Sequence, residues 1–147
     1  MQGKKTVEFW NQYHQQKTNQ EWIVNPSSTT LINTILSLSQ ENQGNNQSLS
    51  MLEIGCGTSE LGKEIYNLTN QRGRFVITDI SPICIETNMR RDEELIIQSK
   101  GNFTYKILDA ASKHDTTLNG HQFSLVLDKG ERVLMLSYHC FVALHET

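Results

Sequence analysis

Apolar residues recur along this chain with two different periods. Near the N-terminus, Phe9, Trp10 and Tyr13 fall at helical spacing and predict a short helix over about 6–18. A second apolar knot, Trp22-Ile23-Val24, precedes Pro26. Ser27 and Ser28 then offer caps for a helix over about 29–39, with Leu31, Ile32, Ile35 and Leu36 as its buried stripe. The polar stretch Gln40 to Gln47, rich in Asn and Gln, reads as a loop. Beyond it, short apolar runs alternate with amphipathic ones. Met51 to Ile54 predicts a strand, about 58–69 a helix with Leu61, Ile65, Tyr66 and Leu68 inward, and Phe75-Val76-Ile77 a second strand ending at Asp79. Ser81 is a capping residue and Pro82 suits the first position of a helix reaching about Gln98. Phe103 to Leu108 and Phe123 to Leu127 predict a third and a fourth strand, ended by Asp109 and Asp128.

Strands alternating with helices imply an α/β fold with a parallel sheet covered on both faces and right-handed crossovers. In such a sheet, ligands bind beyond the carboxyl ends of the strands. Those ends carry Gly55 and Gly57, Asp79, Asp109 and Asp128. Four strands each delivering a glycine turn or a carboxylate to one edge is stronger evidence than any one of these motifs.

Length and composition narrow the class. The 147 residues suit one small domain, and 37% hydrophobic with 20% charged residues is a globular composition. A net charge of −3 argues against a nucleic-acid footprint, which needs a basic patch. No apolar run approaches a membrane span of about 18 residues. Cys56, Cys84 and Cys140 are far apart, with no Cys/His zinc spacing, so free thiols in a reducing compartment are expected. Residues 1–5 have no apolar core of a secretory signal, and the first 24 residues contain no arginine, so no clear import signal is expected either.

The residues at the sheet edge discriminate between ligands. Gly55 and Gly57 permit a tight turn and a close backbone approach, and the helix start behind them suits a carboxylate. Asp79, 22 residues after Gly57, stands where an acidic residue accepts from ribose hydroxyls. Asp109 at the third strand end suits either an adenine amine or a plain turn. Asp128 suits either an acceptor amine or a solvated turn. The third glycine of a dehydrogenase fingerprint would fall at Glu60, which disfavours NAD, and no G-K-[ST] follows Gly57, which excludes a P-loop. Glu53, just before the turn, favours a ligand with a cationic end. No metal or nucleophile cluster is expected, and His14, His114, His121, His139 and His145 read as structural or solvent-facing.

Leu52-Glu53-Ile54-Gly55-Cys56-Gly57-Thr58-Ser59 resembles the first motif of class I S-adenosylmethionine (SAM)-dependent methyltransferases. Phe123 to Gly130, ending Leu127-Asp128-Lys129-Gly130, resembles a strand end typical of a protein-lysine methyltransferase group. That group includes the citrate synthase-lysine methyltransferase and enzymes acting on translation elongation factor 1-alpha. Phe9-Trp10-Asn11-Gln12-Tyr13 with Trp22 is similar to the group's lead-in, and the resemblance covers about 7–130. It implies a Rossmann-like fold, SAM as cofactor and a protein lysine as acceptor. Glu53, Gly55, Cys56 and Gly57 would hold the amino acid end of SAM, Asp79 and Ile80 the ribose, and Asp109 and Ala110 the adenine. Asp128 would face the methyl group as the catalytic residue. Trp10 and Trp22 would close over the cofactor or simply pack in the core. Citrate synthase or a translation elongation factor is the implied protein partner, and mitochondria the implied compartment, with the cytoplasm as the alternative.

One departure stands out. The group's threonine after L-D-K-G is Glu131 here, and 19 residues follow Asp128, against the seven strands usual in class I enzymes. The expected organisation is a helical lead-in (1–48), a partial SAM-binding core with four strands (49–130) and a divergent helical tail (131–147). In that tail Val133, Leu136, Cys140, Phe141 and Leu144 share a face. A C-terminally truncated enzyme, active or reduced to binding, is the expectation.

Overall fold

The computed structural model describes residues 5–16, 29–42, 49–128 and 140–141. The elements run α1 (Val7–Gln16), α2 (Thr29–Asn42), β1 (Ser50–Ile54), α3 (Leu61–Leu68), β2 (Arg74–Asp79), α4 (Pro82–Arg91), α5 (Glu93–Ser99), β3 (Phe103–Ile107), β4 (Gln122–Phe123), β5 (Leu125–Asp128) and β6 (Cys140–Phe141). The main sheet has the order β3-β2-β1-β5 with every pairing parallel. This is the expected α/β architecture. None of the helices among the described residues is long and apolar enough to cross a membrane.

Side chains of a strand alternate between faces, and two cores result. Met51, Phe75, Ile77, Phe103, Leu125 and Leu127 join Ile32 and Ile35 of α2, Leu61 and Ile65 of α3 and Ile85 of α4. Leu52, Val76 and Val126 point the other way, onto Leu108, Leu118 and Phe123. Tyr66, Phe75 and Phe103 meet ring to ring at 5.1 Å across the first core. Among the described residues, the second face is therefore covered by the segment after β3 rather than by a helix.

Glu53 is the charged member of β1 and points toward α3. It is 1% exposed. A Cβ on Gly62, in the first turn of α3, would stand 2.5 Å from Ile77 Cδ1 and 2.7 Å from Glu53 Oε2. Glycine thus lets α3 lie directly on β1 and β2. Gly62→Ala is expected to cost about 1–3 kcal/mol by overpacking. A lower urea midpoint at unchanged slope would show it; an unaltered midpoint would mean that α3 slides off without cost.

Four expectations need correction. Leu68 is 53% exposed, not inward, because α3 ends there and the chain turns away through Asn70 and Gln71, both at φ 57°. The helix expected to reach Gln98 breaks at Asp92 (φ −109°, ψ 22°), whose carboxylate is drawn into a buried polar network. The strand expected over 123–127 is interrupted at Ser124. Its Oγ accepts from Ser50 N at 3.0 Å and donates to Ser50 O at 3.0 Å, while its backbone N–H also donates to Ser50 O at 2.8 Å. The tail expected to be helical contributes, at Cys140–Phe141, a strand antiparallel to β4. That pairing satisfies backbone groups of β4, which a helix at those two residues would not. The rest of the tail lies outside the described residues, as do residues 17–28 with Trp22.

Candidate functional site

The carboxyl ends of all four main-sheet strands lie along one edge. Asp79 is in register with Ile107, and Ile54 with Asp128. Cys56 N donates to Thr78 O at 2.9 Å, which ties the glycine turn to the end of β2. The sequence-predicted Gly55, Gly57, Asp79 and Asp128 are brought to this edge together.

The turn after β1 has Gly55 at φ 66° and Gly57 at φ 56°, a left-handed conformation that side chains resist. Gly55 is exposed, and among the described residues nothing lies within 4 Å of where its Cβ would be. That is an open backbone surface facing the edge. Gly57 is fixed from both sides. Its N–H donates to Asp79 Oδ2 at 2.8 Å, and its carbonyl accepts from Asn88 Nδ2 at 2.7 Å and from the thiols of Cys56 and Cys84. Cys56 is 2% exposed; burial, reinforced by the Cys84 thiol, pushes its pKa well up and leaves it protonated.

Asp79 is 6% exposed. Its second oxygen, Oδ1, accepts from Ser81 N at 2.9 Å, so each oxygen takes one backbone N–H and keeps further acceptor capacity. The Ser81 hydroxyl caps α4 by accepting from Cys84 N, as expected, and donates to Asn11 Oδ1 of α1 at 2.6 Å. Ile80 is half-buried between them. Helix α1 therefore closes one side of the edge, with Trp10 half-buried and stacked at 6.2 Å on His14.

Asp109 follows β3. Its Oδ1 accepts from Ala111 N at 3.1 Å, and its N–H donates to Asp115 Oδ2 at 2.8 Å. Part of this carboxylate is used to close its own turn, while Ala110 packs against the second core. Asp128 is half-buried at the end of β5. Lys129 and Gly130 lie outside the described residues.

No family model matches the sequence, and no curated protein does. Solved structures do resemble the fold. Magnesium protoporphyrin IX methyltransferase of Synechocystis PCC 6803, solved with bound SAH, matches 83% of this chain and 55% of its own at 16% identity and a TM-score of 0.52. The methyltransferase domain of bacterial CtHen1-C matches 70% of this chain and 49% of its own at 14% identity and a TM-score of 0.53. The CurJ carbon methyltransferase matches 67% and 26% at 18% identity and a TM-score of 0.52. The fold is shared with these methyltransferases. The chain spans between 26% and 55% of the length of these three methyltransferase chains.

On this fold, sequence reasoning missed His14, Asn11, Cys84 and Asn88. His14 is 7% exposed and lies over the turn; a Cβ on Gly57 would meet its Cε1 at 3.5 Å. It is structural in the sense of being buried, but it is not remote from the site. Burial lowers its pKa and the Asp79 charge offsets that only in part, so the ring is neutral at pH 7. Spacing held a signal: Val7, Asn11 and His14 form a helical stripe beside the aromatic one. The aromatic residues drew the face one position away, and Phe9 is in fact 40% exposed.

Proposed function

We propose that this chain binds SAM at the carboxyl edge of the sheet and belongs to an enzyme that methylates a protein lysine. The observation that carries the first half is the Gly57–Asp79–Ser81 arrangement beneath the open Gly55 surface, set on a methyltransferase fold. A carboxylate held by two backbone N–H groups, with capacity to spare, suits the paired hydroxyls of a ribose. The exposed backbone of Gly55 and the start of α3 would border the amino acid end, and Glu53 beneath α3 favours its cationic group. Ala110 and Asp109 would border the adenine, and Trp10 the open side.

When bound, SAM supplies an activated methyl group and its own leaving group, so the residues mainly bind and orient. Asp128, in register with Ile54 beside the turn, would accept a hydrogen bond from the acceptor amine and steer its lone pair. The amine proton passes to water. The lysine acceptor is supported by the Leu127-Asp128-Lys129-Gly130 resemblance, which also favours citrate synthase or a translation elongation factor as protein partner. The Cys56-Gly57-Thr58-Ser59 turn and the Asp109-Ala110 pair look closest to the citrate synthase enzyme of that group, which favours mitochondria over the cytoplasm.

Calorimetric titration with SAM tests the binding half directly. For transfer, tritiated SAM and candidate acceptor proteins are expected to give labelled lysine. Asp128→Ala should retain SAM affinity and lose about 100-fold or more in labelling rate. Equal labelling by the variant would remove Asp128 from the mechanism. Binding without any transfer would assign the chain a SAM-binding role alone.

A further inference from the structure

Three chemically different donors converge behind the glycine turn. His14 of α1, Asp79 at the end of β2 and Cys84 in the first turn of α4 are all buried, and each brings one ligand atom within 4.8 Å of the other two. We propose that these residues form a site for a thiophilic divalent cation of the Zn²⁺ class, taken up in place of the cofactor. The exclusion of the cofactor rests on the SAM reading above; the ion site itself does not.

The donor set points to this class of ion. One imidazole, one carboxylate and one thiolate match the borderline-soft preference of Zn²⁺, whereas Mg²⁺ and Ca²⁺ seek oxygen ligands. Ligand atoms about 2.0–2.3 Å from a tetrahedral ion stand roughly 3.3–3.8 Å apart. Binding would draw the three atoms together by about 1 Å from their spacing of up to 4.8 Å and turn the Cys84 sulfur away from Gly57 O.

A second observation is independent of this convergence. His14 is 7% exposed, and its Nδ1 has no hydrogen-bond partner among the described residues. A buried polar atom left without a partner is uncommon and costly. An ion accepted by the imidazole gives the ring the partner its burial otherwise denies it.

The surroundings are already those of a supported site. Gly57 N and Ser81 N hold the two Asp79 oxygens, as backbone donors commonly orient a ligating carboxylate. On binding, the Cys84 thiol gives its proton to solvent and its sulfur bonds the ion. Gly57 O then loses the Cys84 donor but keeps Asn88 Nδ2 at 2.7 Å. The turn therefore survives metallation. With one Asp79 oxygen on the ion, the carboxylate can no longer accept from both ribose hydroxyls, one on each oxygen.

Cobalt(II) titration of the metal-free, reduced protein tests the proposal. A saturable thiolate-to-cobalt charge-transfer band is expected. Cys84→Ala should abolish it, and His14→Gln should weaken cobalt affinity at least about 10-fold. Cys56→Ala should keep the band. Circular dichroism of each variant confirms folding, and His14→Phe provides a second, apolar replacement. No band in the native chain, or a band that persists in Cys84→Ala, overturns the site. SAM added to the cobalt-loaded protein should bleach the band. A band unchanged while calorimetry shows SAM bound overturns the exclusion. Failure of the metal-free protein to take up SAM overturns the cofactor reading and the exclusion with it, while the cobalt band still decides the metal site.

Discussion

Asp79→Ala is expected to abolish measurable SAM binding, a loss of at least about 100-fold by calorimetry. A hydrogen bond to a charged group contributes about 1.5–3 kcal/mol, and two lost together correspond to that factor or more. The substitution also strips Gly57 N and Ser81 N of their acceptors, at 2.8 and 2.9 Å. The turn loses its anchor at the moment the ribose loses its partner. Asp79→Asn keeps a carbonyl for one of these bonds and should fall between the two. Affinity retained in Asp79→Ala would place the cofactor elsewhere and sink the ribose assignment.

Asp92→Ala is expected to be the largest single loss of stability, about 3 kcal/mol, because it removes the buried carboxylate that Arg91, Lys63 and Tyr105 share and leaves the partly buried guanidinium to the more exposed Glu60 carboxylate at 3.6 Å. The Asp92 side chain is 3% exposed, and it accepts from Arg91 at 2.8 Å, from Tyr105 Oη at 2.7 Å and from Lys63 Nζ at 3.0 Å. Arg91 reaches on to Thr58 O at 2.8 Å and Ser59 O at 3.3 Å, so the network braces the far side of the glycine turn. Burial works against ionisation of Asp92, but the hydrogen bonds from Arg91, Tyr105 and Lys63 outweigh it and hold its pKa below the usual value. The sign follows: a depressed carboxylate contributes stability that is complete above its unfolded pKa of about 3.9 and is lost as pH falls through the lower folded value. Urea midpoints of the native chain and Asp92→Asn should therefore differ by a constant amount down to about pH 4 and converge below it. A gap that widens in acid would refute the assignment.

Much of this site was legible in the sequence because it depends on strand ends. Apolar triplets such as Phe75-Val76-Ile77 announce buried parallel strands, and the residue that ends each strand, such as Asp79, is delivered to one edge by the topology alone. Glycine at 55 and 57 and the Ser81-Pro82 start are read from backbone preference, and they stand where expected. What periodicity did not reveal depends on partners distant in the chain. The break at Ser124 exists because Ser50, 74 residues away, offers both a donor and an acceptor. Asp92 interrupts a helix because Lys63 and Tyr105 meet it, and neither is near it in the helical pattern. His14 enters the site because α1 docks on α4. Its own sequence neighbours say only that it lies on a helix.

The clasp between Ser50 and Ser124 also bears on the order in which the chain assembles. Strand β1 meets β2 across 24 residues, as in Ser50 with Arg74, but meets β5 across 74, as in Met51 with Leu125. Closing the longer loop costs about 1 kcal/mol more in chain entropy, so β5 is expected to join β1, β2 and β3 late, which low φ-values for substitutions in β5 would show. Until then, the edge of β1 with Met51 and Leu52 stands open to any passing strand. The strand expected last is the one that carries Asp128. A folding chain is thus expected to bring Gly57 and Asp79 together before Asp128 arrives beside them.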